Sequence, residues 1–396
     1  MKNYCILAAL TILSFVNLSA QQSIPNQNTS AADSLAQSLQ INGYQRILSN
    51  LSGIPQGVTI GGYGEILYNQ PNNLNGELDV QRLVMLFGYK FDERVQFVTE
   101  IEYEHVKEVY VEQAFVNYSI ANAVNIRAGL MLVPMGIINE FHEPTTFNGV
   151  ERPSMDNKIV PTTWREIGIG VAGRLDGLAL RYQAYLFNGF ISHDGEAGKL
   201  KGSNGLRGGR QKGAESMVDQ FNLSAKLDYY GIPNLRIGLS GYQGRTQADD
   251  NVNDVLGSDI GVSMIGLDAR YKWMNFSARG QYVLANLSDT EAYNTFTGRD
   301  LGSQLEGYYI EAAYNVLPIT NKQRLDAFVR YEQYDTHSEV AGNLVKNLAY
   351  DRQEWTTGLS YHMSIGTVFK VDYQSKSTGL ANSQFGQFNV GVGVLF

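Results

Sequence analysis

The stretch TEIEYEHV, residues 99–106, places Glu100, Glu102 and Glu104 at every second position. Carboxylates at that spacing can attract cations, repel anions or pair with guanidinium groups, and they act together only if they share a face. A helix would scatter them. A strand stacks them in one column, because successive side chains point to opposite sides. Phe97, Thr99, Ile101 and Tyr103 then make up an apolar and aromatic opposite face. A segment with charge on one side and oil on the other suits a wall between water and lipid.

The same alternation recurs down the chain. In FNLSAKLDYY, Phe221, Leu223, Ala225, Leu227 and Tyr229 alternate with Asn222, Ser224, Lys226 and Asp228. RLDAFVRYEQY sets Leu325, Ala327, Val329 and Tyr331 against Asp326, Arg330 and Glu332; TVFKVDYQSK sets Phe369, Val371 and Tyr373 against Lys370, Asp372 and Gln374. The pattern predicts sixteen strands, near 58–69, 77–90, 94–105, 108–119, 123–134, 164–175, 178–189, 216–229, 234–246, 259–272, 275–286, 305–317, 323–334, 349–361, 365–376 and 385–396. Short turns such as FDER, WMN and HMSIG alternate with long connectors at 135–163, 190–215, 247–258, 287–304 and 335–348.

An even strand count, short turns at one end and long loops at the other predict an all-β fold, a 16-stranded antiparallel transmembrane β-barrel. Each segment suffices for the roughly 9–11 residues that a tilted membrane strand needs. Tyr229, Tyr230, Tyr271, Trp273, Trp355 and Tyr361 fall near segment ends, where interfacial girdles sit. The final segment, FNVGVGVLF, stops on Phe396 and resembles the terminal signal read by outer-membrane assembly machinery. The expected location is the outer membrane of a Gram-negative bacterium, against lipid and lipopolysaccharide.

Composition narrows the classes. A mean hydropathy of −0.21 argues against a helical membrane protein. A net charge of −8 offers no basic surface for nucleic acid. Residues 1–20 read as a signal peptide, with Lys2 ahead of the apolar run CILAALTILSFV. The only cysteine, Cys5, lies inside it, so an exported chain has no disulfide and needs a closed sheet for stability. Residues 21–57 are polar and predict a periplasmic N-terminal extension, with a short helix over SAADSLAQSLQ; the barrel domain is expected over 58–396.

Several stretches resemble the phosphate-selective porin O and P family. They are GGYGEILY (61–68), EIEYEH (100–105), IRAGLMLVPMGIINE (126–140), WREIGIGVAGRLDG (164–177) and YQAYLFNGF (182–190). The resemblance implies a porin, a homotrimer, and a long third extracellular loop folded into the channel, which would be 135–163. Family members named for phosphate carry rows of arginine and a lysine cluster in the pore. The mixture of charges here departs from that picture.

If the apolar faces meet lipid, the polar faces line the lumen. The expected acidic lining is Glu100, Glu102, Glu104, Glu166, Glu311 and Glu332, with Asp228, Asp268, Asp326 and Asp372; the expected basic lining is Arg82, Arg181, Arg236, Arg270, Arg279 and Arg330, with Arg174, Lys226 and Lys370. The acids of the third strand are expected to face Arg236, Arg270 and Arg279 across the pore, setting up a transverse field. The long loop brings Glu140, His142, Glu143, Glu151, Arg152 and Lys158 to the constriction, and Lys199, Lys201, Arg207, Arg210 and Lys212 crowd the next loop.

No catalytic motif appears. The five histidines are scattered without metal spacing, and ADDNVND departs from a calcium loop at Asp254, where glycine is required. No enzyme, cofactor or metal is expected. The function expected is a diffusion channel for small hydrophilic solutes or ions, anions such as phosphate among them. The alternative is a non-conducting surface-binding or adhesin-type barrel.

Overall fold

In the computed structural model, which describes residues 42–121 and 123–396, sixteen antiparallel strands close into one barrel. The predicted signal peptide and the helix over SAADSLAQSLQ lie outside the described residues. Numbered in chain order, the strands are β1 (Gly57–Pro71), β2 (Glu77–Lys90), β3 (Val95–Glu104), β4 (Glu108–Ala121), β5 (Val124–Leu132), β6 (Arg165–Leu175), β7 (Leu180–Phe187), β8 (Asn222–Tyr229), β9 (Leu235–Arg245), β10 (Gly261–Trp273), β11 (Phe276–Ser288), β12 (Gln304–Asn315), β13 (Arg324–Glu339), β14 (Asp351–Ser364), β15 (Thr367–Thr378) and β16 (Phe385–Leu395). Each pairs with the next, and β16 closes on β1 in register from Tyr63↔Leu395 to Pro71↔Gln387. Closure matters because lipid offers no partner for an unpaired strand edge.

Side-chain alternation sets the two faces. Along β8, Asn222, Ser224, Lys226 and Asp228 are buried inward, whereas Leu223 and Leu227 are exposed on the outer surface. Tyr229, Tyr271, Trp273, Tyr314 and Tyr361 mark the short-turn end of the outer face. Toward the opposite end, Tyr331 packs against Trp355 at 4.7 Å. These are the two aromatic belts of a membrane barrel.

Two strands depart from the predicted bounds by more than three residues. β8 begins at Asn222 rather than 216, because glutamine side chains, not a strand ladder, satisfy the preceding backbone: Met217 N donates to Gln211 and Asp219 N to Gln247. β13 runs five residues further than predicted, to Glu339, and its outer end pairs with β12 and β14 above the belt.

The segment ahead of the barrel turns back inside it. Helix α1 (Gly43–Ser52) starts at Asn42, whose side chain accepts from Gln45 N at 3.1 Å. Tyr44, Ile47 and Leu51 share one face at helical spacing and are buried against the inner wall of β1–β3. Gly61 and Gly88 leave room for Ile47 and Leu51; a Cβ at Gly88 would strike both. Lys90 Nζ then holds the Ile54 carbonyl at 2.7 Å.

Two outcomes follow from this packing. Leu267→Arg, on the lipid face of β10, should lower barrel stability by about 2–4 kcal/mol in reversible unfolding from vesicles. Gly88→Leu should leave the barrel folded, judged by heat-modifiable gel migration, while α1 becomes accessible to protease.

Candidate functional site

The loop between β5 and β6, residues 133–164, is loop 3 in chain order. Its two ends are clasped together. Asn139 donates to the carbonyls of Val133 and Trp164 and accepts from Trp164 N. The Trp164 indole stacks on Phe190 at 4.4 Å and donates to Glu166 at 2.7 Å. From this clasp the loop runs inward, and Ile137, Ile138, Val150, Met155 and Ile159 are buried within the barrel. An outward course would leave those side chains in water, which the hydrophobic effect opposes.

One wall of the lumen, β1–β4, is acidic. Glu65, Glu100, Glu102 and Glu112 all face inward and are at most 5% exposed. Arg82 spans Glu65 at 2.7 Å and Glu102 at 3.2 Å. Loop 3 supplies the rest of the compensation, with Arg152 3.9 Å from Glu65 and His142 3.5 Å from Glu112. Glu143 accepts from Gly43 N of α1. Glu100 and Glu102 therefore do not form an open column facing arginines across water: loop 3 lies over them. Glu104, at the outer end of β3, is the partly accessible member of the column.

The facing wall, β7–β13, is rich in cations. Lys226 and Arg181 reach Glu140 of loop 3 at 3.0 and 3.5 Å. Arg279 binds Glu311 at 3.0 Å. Arg330, fully buried, lies between Glu332 at 2.8 Å and Glu311 at 3.4 Å, and also donates to the Asn148 and Glu151 carbonyls of loop 3. Glu332 in turn accepts from Met155 N, and the Glu151 carboxylate accepts from Asn69 at 2.7 Å. Loop 3 thus turns Glu140 toward the cations of one wall and Arg152 and His142 toward the acids of the other.

The outer loops cover loop 3. Arg207 and Arg210 both donate to the Thr162 carbonyl, and Lys158 donates to Asn204 at 2.7 Å. Arg207 and Arg210 therefore serve as struts within the fold. Lys199 is paired with Asp194, and Lys212 sits 4.6 Å over the Tyr110 ring. Burial, and after it Arg352 and Arg207, pull Lys158 down to about 8.

Open space lies toward the short-turn end. A cavity of about 680 Å³ is lined by Arg127, Arg174, Arg181, Arg236 and Arg270, with Gln45, Leu48 and Ser49 of α1 on one side. Among the described residues no carboxylate lines it. Two counter-charges are buried, Asp228 holding Arg236 at 2.8 Å and Glu140 lying 3.5 Å from Arg181, whereas Arg174 pairs with the exposed Asp176 at 3.0 Å. Arg270 and Arg236 also stack over Phe141 of loop 3, at 4.5 and 5.6 Å from the ring centre. A second cavity of about 130 Å³ adjoins Arg270, Arg279 and Arg324.

Sequence reasoning missed Glu65, Glu112, Arg127, Arg324 and α1. Glu112 escaped because it occupies a β-bulge. Glu100 pairs with Gln113 and Ile101 with Val111, so Glu112 is the extra residue and both Glu112 and Gln113 face inward. The available signal was Glu-Gln interrupting the alternation of YVEQAFV.

A closed sixteen-stranded barrel with a lipid-facing apolar surface, a charged lumen and an inward loop defines an outer-membrane channel of the porin class. Residues 62–384 match the family described as phosphate-selective porin O and P, and the protein belongs to that family. An uncharacterized protein of Aquifex aeolicus (strain VF5) is 33% identical over 345 residues, covering 82% of this chain and 77% of the relative. The fold is similar to that of the anion-selective porin of Comamonas acidovorans, with a TM-score of 0.58 at 14% identity, covering 86% of this chain and 100% of the other. It is also similar to the outer-membrane channel DcaP of Acinetobacter baumannii, with a TM-score of 0.58 at 11% identity over 86% of this chain and 98% of that one. The trimer form of OmpT from Vibrio cholerae gives a TM-score of 0.56 at 10% identity, over 87% of this chain and 100% of that one.

Removing one member of a buried ionic group strands the others. Arg330→Gln should therefore cost about 3–5 kcal/mol in guanidinium unfolding. An unchanged midpoint would show that Glu311 and Glu332 do not depend on it.

Proposed function

We propose that the protein is a passive channel for small hydrophilic anions, phosphate-sized ions among them, working as a homotrimer. The observation that carries this reading is the 680 Å³ cavity at the short-turn mouth, lined among the described residues by five arginines and no carboxylate. Cations on the walls of a low-dielectric passage raise the local concentration of anions and exclude ions of like sign. Arg127 strengthens the bias: its hydrogen bonds go to Asn117 and Tyr185, which are neutral. Phosphate is among the solutes because the family is named for it, and the structurally similar porins include an anion-selective one and one in a trimer form.

The second reading, a non-conducting surface-binding barrel, is favoured by one feature: loop 3 spans the lumen from Glu140 at Lys226 to Val150, whose N–H donates to Asp372. Planar-bilayer recording separates the two. Stable ohmic steps are expected of a channel, and absence of conductance would favour the closed barrel.

In a potassium chloride gradient the reversal potential should report anion preference. The double substitution Arg236→Gln with Arg270→Gln should reduce it, and cation preference in the unaltered protein would refute the reading. Lysine carries charge below its pKa and loses it above. With Lys158 held at about 8, anion preference should decline between roughly pH 7 and 9, and Lys158→Met should remove that step.

A further inference from the structure

We propose that Glu100 of β3, Glu112 of β4 and His142 of loop 3 bind one first-row divalent cation, of the zinc type, that pins the constriction loop to the barrel wall. Each residue offers one ligand atom, and these atoms all lie within 4.8 Å of one another. All three side chains are at most 3% exposed. The Tyr63 hydroxyl closes a further side, 2.8 Å from Glu100 Oε1 and 3.0 Å from His142 Nε2.

Four observations separate this cluster from an incidental group of acids. The first concerns the imidazole. His142 Nδ1 lies 3.0 Å from the Asn139 carbonyl, which can only accept, so Nδ1 carries a proton and Nε2 is the nitrogen turned into the cluster. That is the arrangement in which a metal-binding histidine is held by its second nitrogen. The second concerns distance. His142 Nε2 stands 3.5 Å from Glu112 Oε2 and 4.0 Å from Glu100 Oε1. Both are long for a charged hydrogen bond. Ligand atoms around a tetrahedral ion with bonds of about 2.0–2.2 Å sit roughly 3.4 Å apart.

The third is an orphan atom. Glu112 Oε1 is buried and accepts no hydrogen bond, and among the described residues His142 is the one cation-forming side chain within 4.0 Å of either Glu100 or Glu112. The fourth is the bulge in β4, which turns Glu112 and Gln113 to the same side. Gln113 Nε2 then donates to Glu100 Oε2 at 2.6 Å and orients that carboxylate from behind. One imidazole nitrogen and two carboxylate oxygens suit zinc or a neighbouring divalent ion better than calcium or magnesium, which favour all-oxygen shells. Binding needs no electron transfer; any proton on Nε2 is released to solvent.

The site lies away from the arginine-lined cavity and does not depend on which solute passes. For the test, detergent-purified protein of native gel mobility is incubated with zinc chloride, desalted and its metal counted by mass spectrometry. About one zinc per chain is expected. Glu112→Gln and His142→Asn, folded by the same gel criterion, should fall to background. His105→Ala should keep its zinc, because that exposed imidazole lies beside Asp79 and Glu104 outside the cluster. Equal zinc in the unaltered protein and the two cluster variants would overturn the proposal. So would absence of zinc from the unaltered protein, which leaves a proton on Nε2 as the bridging charge. A readout independent of any variant is cobalt(II): the visible bands of a four-coordinate site are expected on adding it to the unaltered protein, and their absence overturns the proposal equally.

Discussion

The structure depends on charge complementarity between loop 3 and the two walls it separates. A barrel of sixteen strands is too wide for its own side chains to fill. Its lumen must be flooded or occupied. Here it is occupied, and the occupant succeeds because its charges are distributed in the opposite sense to the walls. Glu140 meets Lys226 and Arg181, whereas Arg152 and His142 meet Glu65 and Glu112. Burying an ion is costly unless a partner replaces the water it loses. A loop with these charges exchanged would place acid on acid, and would be expelled.

That pairing also decides where open space remains. Carboxylates of the β1–β4 wall are covered by the loop and partly paired beneath it, which holds their charge away from the free volume. The arginines below loop 3 are only partly neutralised, because Asp228 stands behind Arg236 and Arg127 bonds to the neutral Asn117 and Tyr185. An overall negative chain therefore presents a positive cavity at its short-turn mouth. Net charge is a statement about the whole surface, whereas permeation responds to the few groups that the loop leaves uncovered.

Helix α1 extends the same logic. It enters from the short-turn end, seats Ile47 and Leu51 on glycines of the wall, and touches loop 3 through Gly43 at Glu143 and through Tyr44, which accepts from Arg181 at 2.9 Å beside Glu140. Loop and helix meet inside the barrel, one arriving from each end. The width of the passage is set by these two inserted segments, while the strands supply the frame that holds them.

The barrel was legible because a membrane strand has one obligatory rule, apolar out and polar in, written locally every second residue. Alternation along the whole chain, with β8, β13 and β15 among the clearest cases, was enough to count sixteen strands and to assign Lys226, Arg330 and Asp372 to the inside. Local rules failed where the backbone departed from period two. The bulge at Glu112 hid an inward acid, and side-chain amides from Gln211 and Gln247 replaced a ladder ahead of β8. The partners of loop 3 were not legible at all. Nothing local links His142 to Glu112 or Glu140 to Lys226, because those neighbours are created only when the sheet closes and the loop turns inward. Sequence by itself determined the cylinder and which side chains face its interior; the tertiary structure decided which of those charges cancel and which remain for a solute to meet, since cancellation depends on distances between segments far apart in the chain.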